Sequence, residues 1–117
     1  MKNGYVGYIL RVNLTKGTIV KERLNEKNAN EYVGARGLAV KYFCDECDPK
    51  CDPLGPDNNL IMMTGPLTGT FASSSGRYDA CAKSPLTGTL DASNSGGHFG
   101  PELKYAGYDG IIFEGQS

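Results

Sequence analysis

Between Thr64 and Lys104 the chain reads TGPLTGTFASSSGRYDACAKSPLTGTLDASNSGGHFGPELK, a stretch so dense in glycine, proline and hydroxyl side chains that no long helix can cross it. The whole chain holds 16 glycines in 117 residues, about twice the ordinary share, which points to tight turns and close backbone approach. Near the end of the stretch, Asn94, Ser95, Gly96 and Gly97 form an expected turn. A helix should follow it, with Phe99, Leu103 and Ala106 at i, i+4 and i+7, Pro101 in the first turn and Gly107 at its end. A helix N-terminus leaves backbone N–H groups without partners and carries partial positive charge, so a glycine-rich turn entering one suits phosphate oxygens. Upstream, Arg77 follows Ser73, Ser74, Ser75 and Gly76, and its planar fork of donors suits bidentate capture of a phosphate or carboxylate. A plain structural turn beside a surface arginine has the same sequence pattern, and the residues alone leave both readings open.

The rest of the chain reads as short elements around this stretch. Tyr8, Leu10, Val12 and Leu14 alternate with Ile9, Arg11 and Asn13, and the alternation resumes from Thr18 to Leu24 after a Thr-Lys-Gly turn, which predicts a β-hairpin. Asn25 caps a short helix ending at Gly34. Leu38, Ala39, Tyr42 and Phe43 set a second helix from about Arg36 to Asp45, and Pro49, Pro53, Gly55 and Pro56 make a loop after it. NLIMMT, residues 59–64, reads as a buried strand. The pentapeptide PLTGT occurs at Pro66 to Thr70 and again at Pro85 to Thr89, implying two similar turns, with strands expected over Arg77 to Lys83, Thr89 to Ser93 and Asp109 to Glu114. The expected class is α+β: mixed or antiparallel sheets with about three short helices and about six strands, in a single domain over residues 1–117.

Composition removes several functions. Net charge is −1 and the Lys and Arg residues are scattered, so the basic footprint of a nucleic-acid binder is missing. MKNGYVGYILRVNL has no signal-type apolar run and nothing approaches the ~20 apolar residues of a membrane span, so a cytoplasmic protein is expected. Cys44-x2-Cys47-x3-Cys51, with Cys81 as a distant fourth, has the number and spacing for a four-iron cluster or a four-cysteine zinc site. This supports an alternative function as a stand-alone iron–sulfur or zinc electron-transfer module. Against it, Cys44 shares a helix face with Phe43, and Asp45, Glu46, Asp48 and Asp52 would oppose another anionic group. His98, the only histidine, stands beside the cradle, and a structural or solvent-facing role suits it better than proton transfer.

The strings VGARGLAVKY, GPLTGT, SGRYDACAKSPLTG and SNSGGHFGPELKYAGYDGIIFEG resemble, in order and spacing, the N-terminal domain of the aldehyde ferredoxin oxidoreductase family of tungsten-pterin enzymes, from Tyr8 to Gly115. The resemblance implies the first half of an internally duplicated pterin-binding domain. In that family the domain is the base for tungsten held by two pterin dithiolenes, a tungstopterin (a molybdopterin-type cofactor, with tungsten or molybdenum left open), whose phosphates are linked through Mg²⁺. Arg77, Asn94 and Gly96 then correspond to cofactor contacts, and Asn94 lends a backbone carbonyl to the Mg²⁺. Gly97 is added on geometry alone. The family oxidises aldehydes to carboxylic acids and passes electrons to ferredoxin. Its 4Fe–4S ligands lie in later domains, so this chain is not expected to catalyse alone, and its partners would be ferredoxin and the remaining domains. A solitary half should also leave sheet edges open at the Tyr8 to Leu24 hairpin and at Asp109 to Glu114. That predicts a homo-oligomer with Ile112 or Phe113 at a subunit contact.

Overall fold

Alternating side chains and turn glycines produce the expected strands. In the computed structural model, which describes residues 4–117, β1 (Tyr8–Asn13) and β2 (Thr18–Arg23) form the hairpin, with Gly17 in the left-handed region at φ 66°. α1 (Glu26–Tyr32) starts where Asn25 Oδ1 accepts from the Asn28 backbone N–H at 3.1 Å, the cap expected of that residue. α2 (Ala35–Glu46) follows, then β3 (Leu60–Thr64), β4 (Tyr78–Lys83), β5 (Leu90–Ser95), α3 (Phe99–Tyr105) and β6 (Gly110–Glu114). The class is α+β: one six-stranded mixed sheet, order β2-β1-β6-β3-β4-β5, with three helices.

The register places functional and core residues in rows across one sheet face. Ile112 of β6 pairs with Ile61 of β3, Ile61 with Cys81 of β4, and Cys81 with Ala92 of β5. The next row runs Ile9, Gly110, Met63, Asp79, Asn94. α2 packs on β3 and β4 over this face, burying Leu38, Ala39, Tyr42 and Phe43 against Ile9, Ile61, Met63 and Ile112. Each fully buried aliphatic side chain stabilises the fold by about 1.5–3 kcal/mol. Gly110 has no room for a side chain, since a Cβ there would stand 2.8 Å from the Met62 carbonyl oxygen.

Two expectations need correction. β6 is not an edge: it sits between β1, to which it is parallel, and β3, to which it is antiparallel, and Ile112 is fully buried. The last segment is drawn inside because Asp109 N–H donates to the Tyr8 carbonyl and Thr64 N–H to the Asp109 carbonyl, which docks the strand between two earlier ones. Ile112 is therefore unavailable as a subunit contact. The actual edges are β2, where Ile19 and Val20 are exposed, and β5. Second, Asn94 and Ser95 are not turn residues but the last two of β5, paired with Asp79 and Tyr78, so the turn shrinks to Gly96, Gly97 and His98. The cysteines of the alternative metal reading have different surroundings. Cys44 is exposed on α2, Cys47 and Cys81 belong to the apolar core, and Cys51 is buried in the loop after α2. Among the described residues no group of three or more His, Cys, Asp or Glu side chains is placed to hold one metal ion.

A buried ion pair ties the chain ends to the site. Lys104 Nζ donates to Asp109 Oδ1 at 2.8 Å and to the Gly4 carbonyl at 2.6 Å, while Asp109 accepts from the Val6 and Gly7 backbone N–H groups at 3.0 and 2.7 Å. Tyr5 extends the tie by donating its hydroxyl to the carbonyls of Ala29 and Val33, at the junction of α1 and α2.

Candidate functional site

At the end of the sheet where β3 finishes and β4 begins, Arg77, Asp79 and Asn94 come together with the start of α2. Antiparallel pairing puts Asn94 opposite Asp79, and the alternation of β4 puts Arg77 on the same face as Asp79. Asp79 is 5% exposed, so its carboxylate must be satisfied internally. Oδ1 accepts from Asn94 Nδ2 at 3.0 Å and lies 3.5 Å from Arg36 Nη2, and Oδ2 accepts from the Arg36 backbone N–H at 3.1 Å. This last bond replaces the cap that Gly34 cannot supply, and it sets a negative charge at the N-terminus of α2. With its amide nitrogen fixed on Asp79, Asn94 turns Oδ1 outward, where it accepts from Arg77 Nη1.

The backbone around this network is under local strain. Val33, Ala35 and Ser74, the positive-φ residues other than glycine among those described, have φ 67°, 48° and 57°. All three line one cleft of about 340 Å³, with Gly65, Pro66, Leu67, Thr68, Ser73, Ser75 and Arg77. Gly34 makes this geometry possible: a Cβ there would stand 2.9 Å from Gly65 Cα. Thr68 Oγ1 accepts from Gly65 N–H at 3.1 Å and donates to the Arg77 carbonyl at 3.2 Å, so the first PLTGT turn holds the backbone of the arginine.

The structure brings Arg77 and Asn94 together and puts Gly96 and Gly97 just past Ser95 at the end of β5, all exposed. Gly97 has φ +90°, which favours glycine, and a Cβ there would meet nothing within 4 Å. Gly96 is different, with neither positive φ nor a close neighbour; its nearest atom would be Arg77 Cζ at 3.9 Å. Gly65 also lacks positive φ, and its Cβ would find only Thr68 Oγ1, at 3.8 Å. The helix contributes less than its sequence suggests. α3 has seven residues, and Pro101 in its first turn removes one N–H. The exposed polar groups beside it are the Arg77 guanidinium and the Asn94 side-chain amide. His98 is exposed and its side chain makes no capping bond.

Two site residues were not singled out from sequence, Asp79 and Arg36. Asp79 carried a signal: an acid in the inward phase of the strand that also buries Cys81 requires a buried partner. Arg36 carried none, because only tertiary folding places α2 over β4.

Residues 9–117 match the family described as aldehyde ferredoxin oxidoreductase, N-terminal domain. The chain is 55% identical over 97% of its length to a tungsten-containing aldehyde ferredoxin oxidoreductase of Pyrococcus abyssi, and 36% identical to an aliphatic sulfonate oxidoreductase, WOR-like subunit, of Pyrococcus furiosus. It spans 19% and 18% of those relatives' own lengths. Over its whole length it superposes with a TM-score of 0.96 and 40% identity on 18% of a chain in the active site complex BamBC of benzoyl coenzyme A reductase, solved with 1,5-dienoyl-CoA. The family match over residues 9–117, the sequence identities and the superposition agree: the chain belongs to the aldehyde ferredoxin oxidoreductase N-terminal domain family.

Proposed function

We propose that this domain binds the phosphates of a tungstopterin cofactor and forms part of a larger oxidoreductase of the aldehyde ferredoxin type. The observation that carries the reading is Gly96 beside Arg77. Gly96 lacks a side chain although neither its φ nor its neighbours require that, which suits a surface kept bare for a group outside this chain. The donor set fits a pterin phosphate. Arg77 offers a fork of charged N–H groups, Asn94 orients it, and Gly96 and Gly97 let phosphate oxygens approach the backbone. The Asn94 backbone carbonyl, on an edge strand, is a suitable oxygen for a Mg²⁺ ion joining phosphates.

The bound cofactor would supply the redox chemistry at its metal. This chain's residues bind and orient. The relatives are named for acting on aldehydes, an aliphatic sulfonate and benzoyl coenzyme A, yet they share this domain. Substrate choice therefore belongs to the other domains, and aldehyde oxidation is the reading favoured by the higher identities. Those domains and ferredoxin are the proposed partners, meeting the domain at its open β2 and β5 edges or at the half-buried sheet face of Leu10, Ile111 and Phe113, as the second half of a duplicated unit or as another copy would. The proposed location is the cytoplasm; among the described residues no helix is long and apolar enough to cross a membrane.

The test is the pterin content of the oxidoreductase carrying this domain. Arg77→Ala should lower occupancy several-fold, Arg77→Lys should restore part of it, and Gly96→Ala, which the fold has room for, should also lower it. Unchanged occupancy in Arg77→Ala would overturn the reading.

A further inference from the structure

We infer that Arg36 is a second phosphate-binding arginine of this cradle, held in place by Asp79; the inference rests on the phosphate-binding reading above. The guanidinium of Arg36 and the amide of Asn94 share one oxygen, Asp79 Oδ1, so Arg36 and the Arg77–Asn94 pair flank a single buried carboxylate. Asp79 is 7% exposed at its side chain and Arg36 is 60% exposed, so the carboxylate is the anchor and the guanidinium faces solvent. At 3.5 Å its contact to Asp79 is an ion pair without a hydrogen bond, and among the described residues no hydrogen bond from the Arg36 side chain is formed. Its fork of donors is thus open to an incoming anion.

The backbone of Arg36 is fixed independently of its side chain. Its N–H donates to Asp79 Oδ2 at 3.1 Å, and the preceding Ala35 is held in the left-handed region at φ 48°. The charges also fit. A phosphate monoester carries about −1.5 to −2 at neutral pH. Asp79 consumes one positive charge, so Arg77 alone would leave the site neutral, whereas Arg36 and Arg77 together leave it cationic. The negative charge of Asp79 is offset locally by the donors around it: Arg36 N–H, Asn94 Nδ2 and the Arg36 guanidinium.

The experiment is titration of the 117-residue chain with inorganic pyrophosphate, followed by ³¹P NMR, on the wild type, Arg36→Ala, Arg36→Lys, Arg77→Ala and Lys27→Ala. Lys27 is exposed on α1, and its substitution removes the same charge outside the Arg36–Arg77 site. Far-ultraviolet circular dichroism checks that each variant keeps the fold. The expected result is a roughly tenfold weaker Kd for both Arg→Ala variants, partial recovery in Arg36→Lys, and no change beyond about twofold in Lys27→Ala. If Arg77→Ala weakens binding and Arg36→Ala stays within about twofold of wild type, the role of Arg36 is wrong and the phosphate cradle stands. If the wild type does not bind pyrophosphate, or Arg77→Ala binds it as well as the wild type, both readings fall.

Discussion

Pro66 to Thr70 and Pro85 to Thr89 carry the same five residues and the same left-handed glycine, Gly69 at φ 78° and Gly88 at φ 71°, yet they have different work. In the first turn Thr68 is 6% exposed and bridges Gly65 to the Arg77 carbonyl. A Cβ on Gly69 would stand 3.3 Å from Lys104 Cβ. In the second turn the Thr87 side chain bonds only to Thr89, two residues on, Leu86 is 92% exposed, and a Cβ on Gly88 would meet nothing within 4 Å. The local sequence makes the turn, and the surroundings decide whether it holds a site. The first turn is backed by α3 and the Lys104–Asp109 pair. The second closes the β4–β5 hairpin beside Cys44 and Lys83.

The largest effect should come from removing the support of the first turn. Lys104→Met leaves Asp109 buried without its cation and should cost about 3–5 kcal/mol, read as a lower urea midpoint. It should expose the first turn to proteolysis before the second. A smaller and more pointed contrast is Thr68→Val against Thr87→Val. The first strands the buried end of the Arg77 backbone bridge and should cost about 1–3 kcal/mol. The second removes an exposed contact and should stay within about 0.5 kcal/mol. Equal losses would mean that the two turns are equivalent after all.

Much of this fold was legible because its signals are local. Period-2 alternation and a turn glycine specify the hairpin, Asn25 caps α1, and the apolar spacing of Leu38, Ala39, Tyr42 and Phe43 specifies α2. The place of β6 was not legible. Its GIIFE sequence suits an edge or an interior strand alike, and only the pairing of Ile112 with Arg11 and Ile61 decides between them. Arg77 and Asn94 stood out by residue type, and the family resemblance added their expected role as cofactor contacts, whereas the Asp79 anchor that joins them to Arg36 depends on strand register and helix packing, which no short motif encodes. The cysteine spacing likewise does not encode surroundings: Cys44 is exposed on α2, Cys47 belongs to the core, and Cys51 is buried in the following loop.

The smallest expected effect lies at the end of the sheet beside the second turn. Cys44 should react with a thiol reagent in the native state, and the buried Cys47, Cys51 and Cys81 only on unfolding. Burial pushes the Cys47 and Cys81 thiols above the ordinary value of 9.0. Their stabilising contribution is therefore present below that value and is lost as pH rises through the raised native-state values. Urea midpoints should hold steady at neutral pH and fall once pH passes about 9. A midpoint that rises there would contradict the burial of these thiols.

The central claim is that one end of the sheet is an anion cradle and that the other, with the same pentapeptide, is not. Backbone ¹H–¹⁵N spectra of the chain with added pyrophosphate test it most directly. The account predicts shifts at Arg36, Thr68, Arg77, Asn94, Gly96 and Gly97, with Thr87 and Gly88 unmoved. Shifts of equal size at both turns, or centred on Thr87 and Gly88, would contradict it.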